Sequence, residues 1–422
     1  MPKILLHNIW HQDGAYDIQI ENNRFVAITK TKALSEWNLA DDIEVVDASG
    51  KAILPAFYNG HTHAAMSLLR AYADDMPLAT WLNEHIWPAE AKMTAEDMYH
   101  GVKLSILEMI KSGTVFFNDM YFAWERCAEA VEEMGLRAVV ADSFIDRGDD
   151  AYANAFLARF KAQQSLNTDK LRFAIAPHAM YTVGGDMLRR CAEAAREADQ
   201  FLHIHLAETQ QEMDDSLAKY GMTPTEYLHS LGVLGPKTIV AHAIYLTDND
   251  MDILKETQTV LVHNPCSNMK LASGIFPSKA VSDKGLRVIL GTDGSSSNNN
   301  LDMREEMKFA ALMAKLRYGA EALPATQVLQ WATADAAAAF GIDAGVIAEG
   351  KLADAVIVNL KHERMTPSFN ITSNWVYSAD SSVIDSVLCD GRFLMQHGRV
   401  PNEDQIRESA ERCAFDLLKR VK

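Results

Sequence analysis

Between residues 113 and 292 one pattern recurs: a run of four to six mostly apolar residues, then a longer stretch of helical periodicity. The runs are residues 113–117, 137–140, 171–176, 201–206, 238–242, 260–263 and 288–292. Helical patterns around them include residues 94–111, 124–134 and 186–198. Short apolar runs bounded by turn residues read as strands buried on both faces, as in parallel sheets. A further run, Ala52-Ile53-Leu54, leads into Pro55-Ala56-Phe57-Tyr58-Asn59-Gly60-His61-Thr62-His63 and reads as a strand that stops abruptly. About eight strands alternating with helices predict an α/β fold, a (β/α)8 barrel rather than a doubly wound sheet.

In such a barrel the reactive side chains sit at the C-terminal ends of the strands. Five of these runs end in residues capable of chemistry. His61 and His63 lie two apart, so an extended backbone points both the same way. His178 follows Ala174-Ile175-Ala176-Pro177. His203 and His205 share a face, with Glu208 in the loop beyond. His242 ends one run, and Asp293 follows Leu290-Gly291-Thr292. Each alone has a dull explanation; together they predict a site.

His61, His63, His205 and Asp293 supply three nitrogens and one carboxylate oxygen. Zn²⁺ in such a shell keeps a position open for water and lowers its pKa to near neutrality. Fe²⁺ and Mn²⁺ suit the same donors. Glu208 is placed to shuttle a proton to a leaving group. His242 either joins the metal or orients the attacking water, and Asp293 is a further proton acceptor. A two-metal site needs a bridging carboxylate, usually a modified Lys on a strand. Residues 173–176 carry no Lys, so one metal per chain is expected.

A net charge of −17 argues against nucleic acid and anionic membranes as partners. No tract of about 18 apolar residues is present, so no spanning helix is expected. The first residues turn polar too quickly for a secretory signal. Five widely spaced cysteines make neither a disulfide framework nor a metal knuckle, which fits a reducing cytoplasm.

The two ends differ from the middle. Short strands are expected at residues 4–6, 17–20 and 25–28, and again at 355–358, 384–389 and 392–395, with Asp390-Gly391 as a hairpin turn. A last helix is expected over residues 402–420. The pattern predicts a small β-sandwich built from residues 1–55 and 347–422 around a barrel of residues 56–346. Residues 295–300 read as a polar loop.

With these motifs the chain resembles the amidohydrolase superfamily, in its branch of mononuclear nucleobase and nucleoside deaminases. It looks most like the 5'-methylthioadenosine/S-adenosylhomocysteine deaminases. The resemblance rests on Pro55 to His63, Ser112-Gly113-Thr114-Val115, Pro177-His178, His203 to Glu208, Ala241-His242, His263-Asn264-Pro265, Gly291-Thr292-Asp293-Gly294 and Gly350-Lys351-Leu352-Ala353-Asp354-Ala355. It implies a zinc-dependent hydrolytic deaminase of adenine nucleosides, in a family often dimeric or larger. The family's metal ligands fall on His61, His63, His205 and Asp293, its proton shuttle on Glu208 and its water-orienting residue on His242. It further implies that Trp81 walls the substrate, Glu90 accepts ribose hydroxyls, His178 contacts the purine and Ser297 lies near the departing group.

One departure bears on substrate. Relatives that take S-adenosylhomocysteine carry an arginine for its carboxylate about where this chain has Asp142, with Arg147 a nearby substitute. Adenosine, 5'-deoxyadenosine and 5'-methylthioadenosine therefore rank above S-adenosylhomocysteine. The alternatives are another heterocycle (a guanine-type base, pterin, cytosine or s-triazine) or a non-catalytic metal-binding relative.

Overall fold

The computed structural model describes residues 3–37 and 42–422. Its strands are β1 (Lys3–His11), β2 (Gly14–Glu21), β3 (Arg24–Lys30), β4 (Ile43–Asp47), β5 (Lys51–Pro55), β6 (Phe57–Thr62), β7 (Thr114–Tyr121), β8 (Arg137–Phe144), β9 (Leu171–Phe173), β10 (Ala176–Pro177), β11 (Leu202–Leu206), β12 (Thr238–His242), β13 (Val260–His263), β14 (Arg287–Leu290), β15 (Ala355–Asn359), β16 (Ile384–Cys389) and β17 (Arg392–Met395).

Strands β6 to β14 form the expected barrel. β6, β7 and β8 pair in parallel, and so do β11 to β14. β9 and β10 both pair with β8 and act as one interrupted strand. Bridges Ile175↔Leu202 and Ala179↔His205 join this half to β11. The ring closes where the Asp293 N–H donates to the His61 carbonyl at 3.0 Å. Gly291 permits that closure: a Cβ there would stand 2.8 Å from the His61 nitrogen and 2.6 Å from Asn264 Oδ1. Helices Ala95–Lys111, Trp124–Met134 and Gly185–Glu197 follow the predicted periodicity. The first is capped by Thr94, whose side chain accepts from the Asp97 N–H.

The stretch around Pro55 differs from its sequence reading. It is two strands, not one that stops. β5 belongs to the sheet of the chain ends and β6 to the barrel. Gly60 lies inside β6 rather than ending it, because its missing Cβ leaves room for Ile289. Residues 295–300 also differ: Ser295–Asn298 form a short helix, whose C-cap Asn299 takes a left-handed φ of 75°.

Strands from both ends join one eight-stranded sheet in the order β17-β16-β15-β5-β1-β2-β3, with β4 beside β1. The hairpin turns at the two ends of the sheet meet: Asn23 Nδ2, between β2 and β3, donates to Asp390 Oδ1, between β16 and β17, at 2.8 Å. Alternation along β15 divides the packing. Ala355 and Ile357 face a core shared with Ile4, Ile18 and Phe25, whereas Val356 and Val358 face the barrel's core. No helix among the described residues is long and apolar enough to cross a membrane.

Helix Met303–Tyr318 carries a buried carboxylate beneath the site. Glu306 accepts from the Cys266 N–H at 3.0 Å and from Asn298 Nδ2 at 2.6 Å, tying together the short helices Pro265–Lys270 and Ser295–Asn298. Burial pushes its carboxyl up to about 8, against those hydrogen bonds. The folded chain therefore holds a proton there that the unfolded chain releases above its ordinary carboxyl pKa. Stability from this group falls as pH rises from about 4.5 to about 8. In Glu306→Gln the fall in melting temperature across that window is expected to flatten, as read by calorimetry at stepped pH.

Candidate metal centre and substrate cavity

Four side chains converge at the C-terminal mouth of the barrel. His61 lies on β6, His63 just beyond it, His205 on β11 and Asp293 three residues past β14. The turn that presents His63 is anchored by Asp119, which accepts from the Thr62 hydroxyl at 2.8 Å and the Ala64 N–H at 2.7 Å. Each imidazole is engaged from behind through Nδ1. His61 Nδ1 lies 2.9 Å from His203 Nε2. His63 Nδ1 donates to the Met120 carbonyl at 2.6 Å, and His205 Nδ1 to the His178 carbonyl at 2.8 Å. All three are left to offer Nε2 to a common point, the usual outer-shell arrangement of a metal site.

Asp293 Oδ1 lies 3.4 Å from His61 Nε2 and 3.2 Å from His63 Nε2. The donor atoms of His61, His63 and His205 lie within 4.8 Å of one another, as do those of His61, His242 and Asp293. His61 Nε2 is buried with no hydrogen-bond partner. An unpaired buried nitrogen costs about 1–3 kcal/mol, and a divalent cation would satisfy it. The residues fit a cation such as Zn²⁺. Burial depresses His61 to about 4. Burial also opposes charge on His63, but the hydrogen bond and charge of Asp293 prevail and lift it to about 9. Burial opposes the charge of Asp293, but the neighbouring His61 and His63 imidazoles prevail and hold its carboxyl well below the ordinary carboxylate range.

Ser267 donates to Asp293 Oδ2 at 2.7 Å. Loss of such an outer-shell bond typically costs about 10-fold in metal affinity or more. Ser267→Ala is expected to show that drop in competition with a chromophoric chelator.

Glu208 and His242 face the same point. Glu208 Oε2 stands 3.7 Å from His242 Nε2, and Ser273 Oγ donates to Glu208 Oε1 at 3.1 Å. Burial raises the Glu208 carboxyl above its ordinary value, against the pull of His242. Glu212 shapes the loop beneath, accepting from the Ala207 and Glu208 N–H groups at 2.9 Å each. His242 Nδ1 donates to Asn268 Oδ1 at 2.8 Å, which turns Nε2 toward the cavity. His242 and Asp293 have left-handed φ values of 73° and 62°, strain of the kind that clusters at functional sites.

A metal-ready quartet with an acid and a histidine across from it, at the mouth of an α/β barrel, agrees with the matched family. Residues 52–394 match the model described as Amidohydrolase family. The chain belongs to the amidohydrolase family. This amidohydrolase is 44% identical over 407 residues to a 5'-deoxyadenosine deaminase of Methanothermobacter thermautotrophicus, covering 95% of this chain and 94% of the relative. It is 42% identical to a 5-methylthioadenosine/S-adenosylhomocysteine deaminase of Syntrophomonas wolfei, over 89% of this chain. Its fold matches the crystal structure of an adenosine deaminase from Xanthomonas campestris with bound zinc. The TM-score is 0.88 at 31% identity, covering 99% of this chain and 97% of that one.

The cavity of the amidohydrolase runs from the quartet to a second wall. Trp81, Glu90, His178 and Ser297 all line it. Trp81 is buried, its Nε1 donating to the Ala73 carbonyl at 3.1 Å. His178 Nδ1 lies 2.9 Å from Thr182 Oγ1, and burial lowers its imidazole to about 3. Ser297 Oγ donates to the Gly294 carbonyl at 3.1 Å. Glu90 Oε1 accepts from Tyr121 Oη at 2.6 Å.

Two residues stand elsewhere. Arg147 is exposed, its guanidinium 4.7 Å from the Tyr152 ring centre, and it does not line the cavity. Asp142 turns away to Arg159, 2.8 Å distant, while Ser143 faces the cavity. Neither the position where relatives carry the arginine nor its nearby substitute therefore reaches the cavity. β8 runs on to Phe144, so side chains alternate through this stretch and Ser143 takes the inward place. No lysine or arginine is among the cavity's lining residues.

Sequence reasoning missed Tyr121, Ser143 and Tyr181 on the wall, and Ser267, Asn268, Ser273 and Glu212 behind it. Tyr121 had a signal. It is the last residue of β7, which continues through Asn118 and Asp119 beyond its apolar run.

Proposed function

We propose that this chain is a metal-dependent deaminase converting an adenine nucleoside and water into the inosine analogue and ammonia. The observation that carries the reading is the facing of Glu208 and His242 onto the His61, His63, His205 and Asp293 cluster, in a cavity whose far wall holds Glu90. The names of the deaminase relatives support it. One cation per chain, Zn²⁺ or alternatively Fe²⁺ or Mn²⁺, would be held by His61, His63, His205 and Asp293. When bound, it supplies a water activated near neutral pH.

The chain's own groups do the rest. Glu208, whose carboxyl burial raises above its ordinary value, delivers a proton to the purine ring nitrogen as water adds to C6. His242 Nε2 orients the water and holds the tetrahedral oxygen. Asp293 takes one proton from the water and returns it to the departing amine, and the proton lost from the C6 hydroxyl as the carbonyl forms goes back to Glu208. Trp81 and His178 hold the purine, Ser297 lies beside the leaving group, and Glu90 accepts ribose hydroxyls. A lining without cationic side chains favours a small or apolar 5' substituent, so 5'-deoxyadenosine and 5'-methylthioadenosine rank above S-adenosylhomocysteine. We assign residues 56–346 to the catalytic unit and residues 1–55 with 347–422 to a second unit, supported by the sheet that draws strands from both ends.

The test is a deamination assay on zinc-loaded protein, following loss of adenine absorbance. Adenosine, 5'-deoxyadenosine, 5'-methylthioadenosine and S-adenosylhomocysteine are compared with guanine and cytosine. Turnover of nucleosides with neutral 5' groups is expected. Turnover of the free bases alone would overturn the reading.

A further inference from the structure

We propose that Tyr121 is a positioning residue that sets how strongly the site reads the ribose hydroxyls. The inference rests on the reading of Glu90 as the ribose acceptor. Glu90 ends the short helix Trp87–Glu90, and Tyr121 ends β7 on the neighbouring wall. Tyr121 Oη donates to Glu90 Oε1 at 2.6 Å and is the carboxylate's one side-chain hydrogen-bond partner among the described residues. No described Lys, Arg or His forms an ion pair with Glu90.

An ionised carboxylate offers about four acceptor sites. Tyr121 fills one, and in doing so fixes the rotamer that turns the others toward the cavity. Its donated hydrogen bond also opposes the burial that pushes the Glu90 carboxyl up to about 7, so it keeps the acceptor form populated. The tyrosine ring stands 6.2 Å from the His63 ring, centre to centre, so the same side chain spaces the hydroxyl acceptor from the metal cluster. Without it, Glu90 is free to rotate, and substrate must order it on binding.

The experiment compares kcat and KM for an adenine ribonucleoside with those for its 2'-deoxy and 3'-deoxy analogues, in unsubstituted enzyme, Tyr121→Phe, Glu90→Gln and the double variant. Metal content and melting temperature are measured on each. For the ribonucleoside, KM in Tyr121→Phe is expected to rise about 10-fold, the effect of one hydrogen bond to a charged group. Its kcat should fall much less, and its preference for ribose over the deoxy analogues should shrink. The double variant should discriminate no worse than Glu90→Gln alone. The proposal is overturned if Glu90→Gln loses the preference and Tyr121→Phe keeps it. It is also overturned if Tyr121→Phe weakens ribo- and deoxynucleosides equally. If Glu90→Gln itself keeps the preference, the ribose reading of Glu90 fails. That result is distinct from failure of the deaminase reading, which shows as no nucleoside turnover by the unsubstituted enzyme.

Discussion

Replacing His61 by Ala is expected to abolish metal retention and lower kcat/KM by at least about 10⁴-fold, since the cation both activates water and stabilises developing charge. Among the proposed ligands His61 has the least alternative. It is wholly buried, its Nε2 has no other partner, and its Nδ1 is already engaged with His203. Metal analysis after gel filtration, with steady-state kinetics, checks both effects. Chelation should lower the melting temperature of the unsubstituted protein, because a ligand bound only by the folded state stabilises it. The same treatment should leave His61→Ala where it was. Binding should also release protons. A metal nitrogen must be unprotonated, and His63 holds its proton up to about 9 in the metal-free protein. Affinity should therefore fall as pH drops below about 9, with one proton released from His63 per metal bound at neutral pH. Titration in weak buffer with a pH indicator reads that release; its absence would show His63 already neutral in the metal-free protein.

Glu208→Gln is expected to lower kcat by roughly 10³-fold, within the range general acid catalysis supplies. Gln fills the same space and can still accept from Ser273, so zinc content should stay unchanged. It cannot give a proton to the ring nitrogen. The unsubstituted enzyme should lose activity as pH rises through the Glu208 pKa, which burial has raised above the ordinary carboxyl value. The residual activity of the variant should lack that limb. A loss below about 10-fold would assign proton delivery elsewhere, with His242 the nearest group.

Much of this was legible in the chain itself. Short continuous apolar runs separated by period-3.6 stretches leave few stable solutions, and the barrel strands fall where the runs do. His61-x-His63 and His203-x-His205 announce shared faces because a strand fixes side-chain direction over two residues. The barrel rule then gathers strand ends that are distant in sequence, which is why His61, His205 and Asp293 could be grouped before any coordinates.

What only the tertiary structure decided lies where direction depends on the exact end of a strand or on contacts between elements. β8 runs to Phe144, so Ser143 rather than Asp142 meets the cavity, and one residue's difference in register takes the carboxylate off the cavity wall. His203 shares a face with His205, yet it sits behind His61 because the ring brings β6 across it. Tyr121, Ser267, Ser273 and Glu212 carry no motif. Their hydrogen bonds join strand ends and loops 4 to 65 residues apart, and only packing sets such distances. The sequence determined which atoms could hold a metal and move a proton. The fold decided which of them face one another, because that depends on side-chain direction at the point where the barrel closes.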